Sequence, residues 1–192
     1  MFIQHTNRAG KIYYLRERKT KAGKLQFFFS TQPEGKGVAV KEIPDGYEIY
    51  EHPENAQVFL RRKKPQLIAD VEKRLVEEIA EKLESTKRYL IDYNAEFITV
   101  YESDANFGKI MNKIGVTTDV GLNKFADTSH YSGMLRFRLV DKKKRLFIAE
   151  RFCFRGSIDD WIHLSGPDNL RSLSNQYMTL LGTDEFFNTP HL

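Results

Sequence analysis

The chain carries one cysteine, Cys153, among 192 residues. An intramolecular disulfide is therefore excluded, and so is a zinc site of the multi-cysteine finger type. With no staple available, the fold has to be held by a core. A hydrophobic fraction of 41%, with 14 Phe and 9 Tyr, is enough to build one at this length. A lone cysteine also fits a reducing compartment. Long apolar runs are missing as well. Nothing approaches the ~20 residues of a membrane-spanning helix, and the opening MFIQHTNRAGK has no apolar segment of signal-peptide length. The expectation is a cytoplasmic protein with no membrane contact. The glycine-rich stretch Pro33-Glu34-Gly35-Lys36-Gly37 lacks the Gly-Lys-Ser/Thr ending that a phosphate loop needs. There is no Gly-x-Ser-x-Gly elbow, no dinucleotide fingerprint and no internal repeat, so no cofactor is expected.

What is present is an uneven charge. The net +4 conceals a basic first third: residues 1–65 hold 13 Lys and Arg against 7 Asp and Glu, whereas residues 66–192 hold 17 against 19. The first third is the better candidate for a surface that faces a polyanion. Residues 1–64 read as a basic, hairpin-rich β subdomain and residues 65–192 as an α+β domain. The expected fold class is α+β: antiparallel hairpins, one long central helix and a C-terminal helix.

Residues 11–30 read as a first hairpin, KIYYLRER and KLQFFFS around a basic turn. Tyr13, Tyr14, Phe27, Phe28 and Phe29 place aromatics on both faces. Such a strand is usually covered on both sides, by another layer, a partner protein or a second copy. Arg18, Lys19, Lys21 and Lys24 make its tip strongly basic. Two further strands, Tyr47–Glu51 and Gln57–Arg62, flank a turn at Pro53 and Asn55. They end in four cations, Arg61 to Lys64. Pro65 then opens a helix over 66–88, with Ile68, Val71, Leu75, Ile79 and Leu83 as its apolar stripe. Tyr89–Tyr93 and Phe97–Glu102 form a short hairpin. Residues 107–114 and 118–125 invite a helix-turn-helix comparison, but the second element has no clear apolar stripe, so a compact loop against the sheet is preferred.

The longest hairpin spans Gly133 to Phe154. Leu135, Phe137 and Leu139 alternate with Arg136, Arg138 and Val140. Placing Val140 opposite Arg145 puts Arg136, Arg138, Phe147 and Arg151 on one face and Leu135, Phe137, Ile148 and Glu150 on the other. Arginines with an aromatic among them suit phosphates and stacked bases. The bland alternative is a solvated sheet face whose arginines pair with carboxylates. A polar exit follows, with Trp161 packed in the core. A final helix is capped at Ser165 or Asp168 and stopped at Gly182, and a last turn forms at Asp184–Phe187.

One constellation mixes functional groups: Glu150, Arg151, Cys153, Arg155, Ser157, Asp159, Asp160 and His163. Glu150, Asp159, Asp160 and His163 are the candidates for a metal-dependent phosphoester hydrolase. Against it, adjacent residues of an extended segment point apart, so Asp159 and Asp160 would not face one metal, and turn or ion-pair roles are commoner. Cys153 with His130 or His163 makes a conceivable nucleophile and base, but a cysteine between Phe152 and Phe154 suits a buried position better.

Three stretches carry a resemblance: Gly46 to Glu51, Ala56 to Arg62, and Arg151 to Trp161. Together they resemble an uncharacterised bacterial family of hypothetical proteins. The resemblance implies a bacterial cytoplasmic protein and supplies no catalytic residues. The leading functional expectation is therefore a non-enzymatic protein with nucleic acid as its ligand. Its contacts would be Arg18, Lys19, Lys21, Lys24, Arg61, Arg62, Arg136 and Arg138. The alternatives are the hydrolase and a protein-interaction module built on the aromatic hairpin.

Overall fold

Alternating side chains dominate the first 63 residues, and among the described residues this segment forms sheet alone. A computed structural model of the chain describes residues 2–83, 88–105, 119–155 and 158–189. The chain divides into two units, residues 1–63 and 64–192.

The N-terminal unit contains β1 (Gln4–Thr6), β2 (Ile12–Lys19), β3 (Leu25–Ser30), β4 (Val38–Ala39), β5 (Tyr47–Glu51) and β6 (Val58–Arg62). β2 is its central strand. It pairs with β3 along one edge and with β1 and β4, end to end, along the other. β5 and β6 form a separate hairpin. Leu15 of β2 is fully buried. On its side, Tyr13 meets Phe29 edge-on at 6.4 Å and Phe27 lies 6.2 Å from Tyr47 of β5. The other side of β2 carries Arg16, which is buried. Its guanidinium donates to four carbonyls, those of Pro33, Gly35, Lys36 and Gly37, at 2.8–3.0 Å. The glycine-rich connector is thus wrapped around one arginine. Gly37 is required there: its φ is +84°, and a Cβ would sit 2.4 Å from the Glu17 carbonyl oxygen. The aromatics of the first hairpin are half-buried, with the β5–β6 hairpin on one side and this connector on the other.

The C-terminal unit begins with α1 (Asp70–Leu83), then β7 (Tyr89–Asn94), β8 (Phe97–Ser103) and α2 (Asp119–Thr128). It continues with β9 (Tyr131–Asp141), β10 (Leu146–Arg155), β11 (Ile158–His163), β12 (Asp168–Asn169), α3 (Leu170–Tyr177) and α4 (Asp184–Asn188). β7 to β11 form an antiparallel meander in sequence order, and β12 pairs with the start of β10. Ile98, Val100, Leu135, Phe137, Leu139, Phe147 and Ala149 line one face of this sheet. They pack with Val76, Ile79, Leu170, Leu173, Tyr177 and Phe186 from the helices. Antiparallel sheets with helices make this an α+β protein. Among the described residues, no helix is long and apolar enough to cross a membrane.

Several expectations are corrected. Among the described residues there is no long central helix: the longest is α1, with 14 residues. It starts at Asp70 because the residues before it are held otherwise. The Leu67 N–H donates to the Ala95 carbonyl, and the Ala69 N–H donates to the Glu72 carboxylate at 2.8 Å, a capping contact. The apolar stripe is also turned. Val71 is 66% exposed, whereas Val76, Ile79 and Ala80 are buried with Glu72. Glu72 is tolerated on that face because both its oxygens accept from the Arg145 guanidinium. The α3 cap is Asn169, whose side chain accepts from the Ser172 N–H at 2.9 Å. The stretch containing Asp159, Asp160 and Trp161 is a six-residue strand, β11, rather than an exit loop. The first half of the helix-turn-helix comparison, 107–114, lies outside the described residues, as do Gly156 and Ser157. Residues 119–125 of its second half lie in α2, a helix where a compact loop is expected.

The register of the long hairpin is the most consequential correction. Phe147 pairs with Leu139, Ala149 with Phe137 and Glu150 with Arg136, one residue away from the expected pairing. The pairing shifts between Leu146 and Phe147, so that Val140 has no partner of its own. The turn runs from Lys142 to Arg145. Asp141 accepts backbone N–H bonds from Lys143 and Lys144 at 2.9 Å, and the bond from Lys144 first, then that from Lys143, holds its carboxyl below the ordinary value. Arg145 closes the turn at φ +54°, a conformation uncommon for a residue with a side chain, and its guanidinium is held by Glu72 and the Leu67 carbonyl. A one-residue slip exchanges the faces of everything that follows. Phe147 is accordingly in the core, with no exposed surface.

This register makes a testable contrast. Phe147→Ala should cost about 3–5 kcal/mol. Val71→Ala should change stability by less than about 0.5 kcal/mol. Denaturant titration of the two variants, followed by Trp161 fluorescence, would measure both.

Candidate nucleic-acid interface

The candidate residues fall on two surfaces, one in each unit. In the N-terminal unit, the β2–β3 turn carries Lys19, Lys21 and Lys24. It closes with a Thr20 N–H bond to the Lys24 carbonyl, and Gly23 supplies the left-handed φ of +76°. All three lysines are exposed. Among the described residues, none of their ammonium groups is ion-paired. No carboxylate occurs between Arg18 and Pro33. Arg18 lies over the Phe28 ring at 5.1 Å and donates to the Gln26 side chain at 2.9 Å.

Arg61 and Arg62 come from β6. Arg61 sits 3.6 Å above the Tyr50 ring centroid and pairs with Glu48 at 2.7 Å, so its charge is largely answered. Arg62 lies over Tyr47 at 5.8 Å and donates to its hydroxyl at 3.4 Å. Tyr47 in turn touches Phe27. Arg62 is therefore linked through Tyr47 to the middle of β3. Beside Tyr47 is a concavity of about 300 Å³, formed by the turn at 43–46, Glu48, Ile49 and Lys63. Asp45 and Glu48 offset Lys63 there, so the concavity has no net attraction for an anion. The aromatic supports Phe28, Tyr47 and Tyr50 escaped the sequence reading. The signal for them was the cross-strand register: Tyr47 faces Arg62, Glu48 faces Arg61 and Phe28 faces Arg16.

In the C-terminal unit, the sheet face turned away from the helical core collects residues from both functional expectations. Arg136 and Arg138 are there, and with them Glu150 and His163. Glu150 has only 3% of its side chain exposed. One of its oxygens takes Arg136 at 2.6 Å, and the other takes Arg138 and His163, each at 3.2 Å. The Arg136 guanidinium also lies between two rings, 4.4 Å from Trp161 and 4.6 Å from Phe97. Trp161 pairs across the strands with Phe152, their rings 5.3 Å apart, and so does not enter the core as expected. Phe154, 62% exposed, extends the aromatic row at 4.8 Å from Phe152. The expected companion of the arginines, Phe147, is not on this face. Its place is taken by Glu150, because of the register correction.

The remaining hydrolase candidates separate. Asp159 lies opposite Phe154 and Asp160 opposite Cys153, so the two carboxylates are on opposite faces of β11. The Asp160 carboxylate accepts the Trp161 N–H at 2.7 Å. Arg151 is buried on the core face and donates to the Phe186 carbonyl. Cys153 is half-buried. Among the described residues, no group of three or more His, Cys, Asp or Glu side chains converges as a metal site.

Glu150 thus acts as the shared counter-ion of two arginines. Replacing it with Ala leaves two partly buried guanidiniums unanswered and should cost about 3–5 kcal/mol. Arg138→Gln should cost less, since Arg138 is the more exposed partner. Urea denaturation of the two variants checks the order.

No family model, curated protein or solved structure matches the chain.

Proposed function

We propose that the chain is a non-enzymatic nucleic-acid-binding protein whose contact surface is the basic end of the N-terminal unit. The observation that carries this reading is the β2–β3 turn, whose three exposed lysines form no ion pair among the described residues. Arg18 precedes it in β2 and Arg62 ends β6, each laid over an aromatic ring that limits its freedom. A guanidinium already ordered in this way loses less entropy when it meets a phosphate. Arg61 contributes less, being paired with Glu48. Arg136 and Arg138 contribute least, since the buried Glu150 binds both. Binding of this kind is electrostatic and indifferent to base sequence.

The hydrolase reading has weaker support. Both oxygens of Glu150 are occupied by cations, and Asp159 and Asp160 diverge.

The test is a salt series of binding to labelled single- and double-stranded DNA and RNA. Affinity should fall linearly on logarithmic axes, with a slope of about −0.7 to −0.9 per phosphate contact. The combined variant Lys19→Gln, Lys21→Gln, Lys24→Gln should flatten that slope by about two to three units. Arg136→Gln should leave it unchanged. Binding no stronger than to a neutral polymer at low salt would refute the proposal.

A further inference from the structure

Whether a nucleic-acid site takes single or double strands turns on its aromatic rings. A single strand is held by bases stacked on open ring faces. A double helix keeps its bases stacked on one another and offers phosphates. In the N-terminal unit, rings beside the arginines already carry cations. Arg18 lies over Phe28 at 5.1 Å, Arg62 over Tyr47 at 5.8 Å and Arg61 over Tyr50 at 3.6 Å. Phe27 packs against Tyr47, and Phe29 meets Tyr13 edge-on. The neutral polar side chains next to the lysines are engaged within the hairpin. The Thr20 hydroxyl accepts the Lys24 N–H at 3.1 Å, and the Gln26 side-chain carbonyl accepts the Arg18 Nε–H at 2.9 Å. What the hairpin tip holds out is charge, on Arg18, Lys19, Lys21 and Lys24, all exposed. Two well-exposed rings of this unit, Phe2 and Phe59, belong to other segments. Phe2 adjoins Ile3, which is bonded to Leu15 and Val40 on the edge of β2 away from β3. Phe59 lies in β6, opposite Tyr50.

We infer, on the proposal that this turn binds nucleic acid, that it takes a double helix in preference to a single strand, gripping phosphates and leaving the bases paired. Charge alone then decides the preference. Each cation that meets a phosphate contributes about −0.9 to the logarithmic salt slope on a duplex and about −0.7 on a single strand. The duplex is the more densely charged of the two. With about four contacts, from Arg18, Lys19, Lys21 and Lys24, the two slopes differ by about 0.8. The affinities converge near roughly 1 M salt, where ion release adds nothing. A duplex preference of about sixfold follows at about 0.1 M salt, and of about twofold at about 0.4 M. A stacking site behaves in the opposite way. It prefers single strands, and the ring contacts that set its preference persist as salt rises.

Competition between poly(dT) and the poly(dA)·poly(dT) duplex for the full chain, repeated across a salt series, measures the ratio directly. The duplex should win by about sixfold at about 0.1 M salt, and its margin should close as salt rises. The combined variant Lys19→Gln, Lys21→Gln, Lys24→Gln should weaken binding to both polymers and bring their ratio within about twofold of one. Phe2→Ala and Phe59→Ala should leave the ratio of the parent chain unchanged. Removing a ring that stacks a base would instead lower single-strand affinity by about fivefold or more. A preference for poly(dT), a duplex margin that does not close with salt, or such a loss in either phenylalanine variant would overturn the inference. Each of these would leave the proposed function standing, provided that the lysine variant still weakened binding to both polymers. Binding to neither polymer, or binding indifferent to the lysine variant, would overturn the proposed function and the duplex preference together.

Discussion

The pairing of β9 with β10 is the constraint on which the C-terminal unit depends. Arg145 takes a left-handed turn, Val140 drops out of the ladder, and every later residue of β10 is assigned its face by that shift. The same step buries Phe147 and Ala149 against the helices and carries Glu150 to the other side, between two arginines. Arg145 also reaches α1, where Glu72 takes its guanidinium while capping the helix with the same carboxylate. One hairpin turn thereby sets the sheet register, the core and the start of α1. A buried carboxylate bound by two guanidiniums and an imidazole is then a consequence of the register, with a positioning role in the sheet.

Arginine serves as an internal scaffold throughout this protein, and that narrows where its free positive charge lies. Arg16 holds the 33–37 connector by four carbonyls, Arg8 meets Glu51 and the Pro53 carbonyl, and Arg88 meets Glu102. Arg136, Arg138 and Arg145 hold carboxylates. A buried guanidinium needs such partners, because leaving one unanswered is costly. The lysines at the β2–β3 turn have no such duty. A compact ammonium on a flexible stem, kept in water, is suited to meeting mobile phosphates. The division between arginines that build and lysines that remain available is what locates the proposed interface.

Much of the fold was legible in the sequence where alternation met good turn chemistry. The hairpins β2–β3, β5–β6 and β7–β8 all lie where apolar alternation and Gly, Pro or Asn turns indicate them. The register of β9–β10 was not legible, because an arginine at a left-handed turn position carries no signal of the kind a glycine gives. β11 was hidden by Asp159 and Asp160, two adjacent carboxylates that break the apolar pattern of a strand. The turn of the α1 stripe was misread because Glu72 is buried by an ion pair made seventy-three positions along the chain, which local periodicity cannot register. The basic turn was legible in full: an uncharged strand after a run of cations was already written in the sequence. The pairing of Arg136 and Arg138 with Glu150 was visible only as the bland alternative, since it depended on the unseen bulge.

The most direct test of the account is a residue-resolved titration. The labelled protein would be titrated with a short unlabelled oligonucleotide, and the backbone amide resonances followed. The account predicts shifts concentrated from Arg18 to Leu25 and at Arg61 and Arg62, with the Arg136, Arg138 and Glu150 amides undisturbed. Shifts centred on Arg136, Trp161 and His163, or no shifts at saturating oligonucleotide, would contradict it.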